Sequence, residues 1–120
     1  MHVLKVEPCK EPVEIDIEAG LESLQAQVGG YIEAVYPYED PVALVCNEEG
    51  KLNGLDLNRA LRDDTGEIYD IISGTFLVVG LGEEDFTDLS AELCAKFSAK
   101  FHAPECFVQI GRRIIAVPAY

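Results

Sequence analysis

The chain lacks tryptophan, has only two histidines, and sets 9 basic residues against 22 acidic ones. The resulting formal charge of −13 repels nucleic-acid phosphates and anionic membrane surfaces unless a basic patch intervenes. Direct nucleic-acid or membrane binding is therefore not expected. His2 and His102 stand near the two ends, so no Ser-His-Asp arrangement is legible. Cys9, Cys46, Cys94 and Cys106 form no Cys-x-x-Cys pair. They read as scattered reduced thiols, Cys46 and Cys94 at core positions, and neither a metal centre nor a cofactor is expected. No apolar run approaches the roughly 20 residues that span a bilayer. His2 to Glu7 is interrupted by charge, so no secretory leader is expected, and the expected location is cytoplasmic.

What is present suits one globular domain over residues 1–120: 48% hydrophobic residues with 26% charged side chains argues against disorder. Charge is unevenly placed. Residues 1–94 carry 21 acidic and 5 basic side chains, a net −16, whereas residues 95–120 carry 1 and 4, a net +3. The C-terminal quarter is the positive part.

Val3–Glu7 and Val13–Glu18 read as an edge hairpin. In the second strand Val13, Ile15 and Ile17 alternate with Glu14, Asp16 and Glu18, which predicts a solvated acidic face. Leu21, Leu24 and Val28 share a helix face, and Gly29-Gly30 ends it, giving a helix over about 21–29. Tyr31–Tyr36 is a strand by its aromatic and β-branched content. Val42–Cys46, continuously apolar, suits a strand buried on both faces. Asn47–Arg59 follows, a polar segment with Gly50 and Gly54 that leads into a short helix expected near 57–61. Ile68–Ile72 fits either a helical turn or a strand, and Thr75–Val79 is a strand. Phe86, Leu89, Leu93, Phe97 and Phe101 recur at helical spacing, predicting a long helix over about 86–101, capped by Asp85 or Thr87. Two closing strands flank Gly111-Arg112. The expected fold is α+β, a mostly antiparallel sheet with two main helices.

Candidate chemistry is sparse. Asp64-Thr65-Gly66 resembles the aspartic-protease triplet, which needs two carboxylates sharing a proton on tight loops. Arg62 and Asp63 stand before it where that family has apolar strand residues, and a plain turn accounts for it. Gly80-Leu81-Gly82 lacks the third glycine of a dinucleotide site, and Glu83-Glu84-Asp85 would repel phosphates. The segment Asn47–Arg59 offers Asn53, Gly54, Asn58 and Arg59 as a binding or structural turn. Asn58 and Arg59 are expected to be fixed to the turn made by Asn53 and Gly54.

Several stretches carry a family resemblance: Gly29-Gly30-Tyr31-Ile32-Glu33, Cys46 to Leu55, Leu57-Asn58-Arg59-Ala60, and Ile72 to Phe76 with Val78-Val79-Gly80. Together they resemble the family called domain of unknown function 3846, from about Leu21 to Leu81. The resemblance implies a small cytosolic accessory protein of phages, plasmids or conjugative elements, with no established reaction, and it places the family's polar motif on Asn53, Asn58 and Arg59.

Three readings of function stay open. The first is a non-catalytic module that binds an unidentified protein. The second is an acidic DNA mimic of the antirestriction type, which needs carboxylates spaced like phosphates. The third is a small enzyme built on Asp64 or on Asn53, Asn58 and Arg59. The strand carrying Arg112 and Arg113 raises a monomer-or-homodimer question, since a positive edge beside an acidic body can pair with a second copy.

Overall fold

The structure is a computed structural model that describes residues 1–118. The elements run β1 (His2–Val6), β2 (Val13–Asp16), α1 (Leu21–Val28), β3 (Ile32–Val35), β4 (Val42–Asn47), β5 (Leu57–Arg62), β6 (Ile68–Ser73), β7 (Phe76–Leu81), β8 (Phe86–Thr87), α2 (Ala91–Lys100), β9 (Glu105–Ile110) and β10 (Arg113–Pro118). The main sheet has the order β2-β1-β7-β4-β3, with β8 joined to the far end of β7. Every strand pairing among the described residues is antiparallel. The fold is α+β.

β4 and β7 are apolar at nearly every position, and β1 at Val3, Leu4 and Val6, because both faces of the sheet are covered. Alternation divides their side chains. Val3, Ala43, Val45, Leu77 and Val79 pack with Leu24 of α1 on one face. Leu4, Val6, Val42, Leu44, Cys46, Phe76 and Val78 pack on the other with Cys94, Phe97 and Phe101 of the α2 segment and with Leu61 and Ile72 of β5–β6. The phenylalanines meet there, with Phe76 edge-on to Phe101 at 5.2 Å between ring centres. The layers are thus α1, the sheet, and then α2 with the β5–β6 hairpin.

Two expected elements differ. The segment near 57–61 is not a helix but strand β5, paired with β6. Leu57 and Leu61 do fall four apart, but Asn58 through Leu61 are all buried, which a one-sided helix would not produce. A β-bulge produces it: Leu57 opposes Ser73, Arg59 opposes Ile72, and Asn58 is the extra residue between them. Burial of Ile71 to Ser73 and pairing to β5 also settle residues 68–72 as a strand.

The second difference is the long helix, which covers Ala91–Lys100 rather than starting near residue 86. Phe86 and Thr87 pair with Leu81 and Gly80 instead, so the apolar spacing there belongs to a strand and a loop. The cap is Ser90, whose Oγ accepts from the Leu93 N–H at 3.3 Å. Asp85 and Asp88 serve elsewhere, at the Phe86 and His2 backbone N–H groups.

Candidate functional site

The bulge in β5 turns two consecutive polar side chains inward. Asn58 is fully buried, and Arg59 is 1% exposed. Asn58 Nδ2 donates to the carbonyls of Val6 at 2.9 Å and Gly74 at 2.8 Å, while its Oδ1 accepts from Arg59 Nη1 at 2.8 Å. Arg59 Nε and Nη2 both donate to the Phe101 carbonyl, at 3.1 and 2.9 Å, and Nη2 also reaches the Lys10 carbonyl at 2.7 Å. Phe101 is the C-cap of α2, so the guanidinium sits at the negative end of that helix and satisfies a carbonyl left over by it. This cluster joins β1, the β1–β2 loop, β5, the β6–β7 turn and α2. It also holds the loop where Cys9 adopts a positive φ of 64°.

Asn53 and Gly54 are placed apart from it. Asn53 is exposed, its backbone N–H donating to the Glu49 carbonyl, and Gly54 takes the left-handed φ of 69° that its turn needs. The bonds of Asn58 and Arg59 run instead to Val6, Gly74, Phe101 and Lys10. The expectation that they are fixed to the Asn53–Gly54 turn is corrected by these anchors. That turn is held by Asn47, whose Oδ1 accepts from the Glu49 N–H at 2.8 Å and whose Nδ2 donates to the Val28 carbonyl at the end of α1. Gly50 is required for space: a Cβ there would lie 2.8 Å from the Ser73 carbonyl.

Beside this turn is a groove of about 200 Å³, lined by Glu33, Cys46, Asn47, Lys51, Asp70 and Ser73. Lys51 and Asp70 pair across it at 2.5 Å. Burial pushes the Cys46 thiol up to about 11, which keeps it protonated. A groove of this size falls below the roughly 300–1,000 Å³ typical of small-molecule sites.

Asp64 lies exposed in the β5–β6 turn. Its neighbour Asp63 organises that turn, Oδ1 accepting from Thr65 Oγ at 2.7 Å and from the backbone N–H groups of Thr65 and Glu67. These donors hold the Asp63 carboxyl below its ordinary range, the Thr65 hydroxyl contributing most.

One constellation escaped the sequence reading. The β1–β2 register sets His2 opposite Asp16 and diagonal to Glu14. His2 Nε2 lies 2.9 Å from Glu14 Oε1, and Nδ1 lies 2.9 Å from Asp16 Oδ1. Cys94 of α2 closes the group: its sulfur lies within 4.8 Å of the His2 and Glu14 ligand atoms and donates to the Leu89 carbonyl at 3.9 Å. Hydrogen bonds to Glu14 and then Asp16 raise the His2 pKa, and the bond from His2 lowers that of Glu14. The carboxylates of β2 thus do not simply face water. Their alternation was visible in the sequence, but the arrival of Cys94 depends on how α2 packs.

A sequence profile of the family described as Domain of unknown function (DUF3846) matches residues 1–102. The chain belongs to that family. The match to domain of unknown function 3846 takes in the whole main sheet, both helices, the Asn58–Arg59 cluster and the His2 group. No curated protein and no solved structure matches the chain.

The β9–β10 ribbon lies beyond the family's matched span. It is a sheet of its own, turning at Gly111, whose φ is 62°. Its root is fixed to β5: Glu105 Oε1 accepts from the Ala60 N–H at 3.1 Å, and Oε2 from Arg62 at 2.8 Å. Pairing of Val108 with Ile115 and of Cys106 with Val117 puts these four side chains on one face, with Ile110 and Arg113 toward the tip. All six are exposed.

Proposed function

We propose that this member of the domain of unknown function 3846 family is a non-catalytic protein-binding module that acts in an accessory role for a mobile genetic element, with the β9–β10 ribbon as its contact surface. The observation that carries this reading is the ribbon's outer face, where Val108, Ile110, Ile115 and Val117 stand 40–60% exposed on adjacent strands. An isolated two-stranded ribbon is marginal in water, and a covering surface would remove its apolar face from solvent. Arg112 and Arg113 at the tip define the rest of the partner's chemistry: a protein surface with an apolar strip edged by carboxylates.

The test is a photo-crosslinking residue at position 108, with light scattering on the purified chain. The expected result is a covalent adduct to one partner protein, lost in Ile115→Glu, while the thermal midpoint of that variant stays unchanged. A monomer that gives no adduct overturns the proposal. An adduct to a second copy, together with a dimer in solution, replaces the external partner by self-association.

A further inference from the structure

We infer that His2, Glu14 and Cys94 form a binding site for one divalent cation of the zinc class. This goes beyond the protein-binding reading and does not rest on it. One ligand atom from each residue, an imidazole nitrogen, a carboxylate oxygen and a thiol sulfur, lies within 4.8 Å of the others. Three separate elements, β1, β2 and α2, supply them, so the convergence comes from the fold and not from a flexible loop.

His2 is held for this role. Its backbone N–H donates to Asp88 Oδ1 at 2.8 Å, and its carbonyl accepts from the Leu89 N–H at 2.8 Å. Its ring is turned by Asp16, which takes Nδ1 and leaves Nε2 facing Glu14. A carboxylate behind the non-ligating nitrogen is the usual support of a metal-bound histidine, fixing the tautomer and raising the basicity of the other nitrogen.

The donor set selects the ion. Calcium and magnesium take oxygen ligands, whereas a mixed nitrogen, oxygen and sulfur set suits zinc. Zinc bonds of about 2.0–2.3 Å set neighbouring ligand atoms roughly 3.3–3.8 Å apart, so the 2.9 Å His2–Glu14 contact opens by several tenths of an ångström as the ion enters. Three protein ligands leave a fourth tetrahedral position for water. Binding to the imidazolium and thiol forms releases two protons to solvent, one from His2 Nε2 and one from Cys94 Sγ. Burial and the Glu14 carboxylate push the free thiol up to about 11. The same carboxylate, with Asp16 and Asp88 nearby, draws in a cation, and a coordinated thiol loses its proton.

The test uses the full, untagged chain with Zn²⁺ by titration calorimetry and Co²⁺ by absorption. One equivalent of Zn²⁺ should bind, and Co²⁺ should give a thiolate charge-transfer band. His2→Gln and Glu14→Gln should each weaken Zn²⁺ at least tenfold, and Asp16→Asn by about 10–100-fold. The cobalt band should vanish in Cys94→Ala and persist in Cys46→Ala. Should Cys94→Ala fail to fold, the His2 and Glu14 variants, on the protein's outer side, decide alone. No Zn²⁺ binding by the wild-type chain, or binding unchanged in both of those variants, overturns the site. So does a cobalt band lost on replacing Cys9 and Cys106, which would locate the metal on exposed thiols.

Discussion

The Asn58–Arg59 cluster and the β9–β10 ribbon invert the ordinary rule in opposite ways. One buries a charge and an amide in the interior; the other leaves valine and isoleucine in water. The cluster resolves its mismatch internally: backbone carbonyls accept from the Asn58 amide and the Arg59 guanidinium, and the guanidinium in turn donates to the Asn58 side-chain oxygen. The ribbon's outer face has no such answer among the described residues. Burial therefore separates the two by what completes them: the first is finished by the fold, the second by something outside it.

The largest effect should come from breaking the finished region. Arg59→Ala leaves the Phe101 and Lys10 carbonyls and Asn58 Oδ1 without their donor and opens a cavity. A loss of about 3–5 kcal/mol in urea unfolding is expected. A loss under about 1 kcal/mol would show that the cluster does not hold the two ends together. Truncation after His102 tests the other side. The shortened chain should still unfold cooperatively, destabilised by about 1–3 kcal/mol through loss of the Glu105 bonds to Ala60 and Arg62. A molten product would mean that the ribbon belongs to the core.

Smaller still is the double change Val108→Thr with Ile115→Thr, which keeps strand propensity and removes apolar surface. Stability should move by no more than about 0.5 kcal/mol. A larger drop would reveal intramolecular packing on that face.

Least of all in size is an acid effect at Asp63, in the β5–β6 turn. Its folded pKa is depressed, so its contribution is fully present above its unfolded pKa and fades as pH falls through the lower folded value. Wild type should therefore be more stable than Asp63→Asn at neutral pH, and the two should converge in acid unfolding once pH has fallen below the depressed folded value. Parallel curves throughout would remove Asp63 as the turn's organiser.

Much of the scaffold was readable because alternation and continuous apolar runs report burial directly. β1, β2, β4 and β7 were legible for that reason, as was the glycine-terminated α1. β5 was not, since a bulge resets alternation and lets Leu57 and Leu61 imitate helical spacing. β8 was missed because two residues are too short to show a period. Asn58 and Arg59 stood out in the sequence, but their partners did not: Val6 is 52 residues away and Phe101 is 42. The His2 group was harder, requiring both a hairpin register and the docking of a helix.

The place of β7 has a bearing on how the chain is made. It lies between β1 and β4, which are already joined to β2 and β3 as separate hairpins. Residues 76–81 are thus a late-synthesised piece that fuses two early ones. Until Leu81 leaves the ribosome, β1 and β4 each present an open edge of apolar strand, a hazard for sticking to other nascent chains. Closure over such sequence distances is slow relative to hairpin formation. Stalling of translation before Phe76 should therefore be more harmful to this protein than stalling after Leu81, when β7 is available to cover the open edges of both β1 and β4.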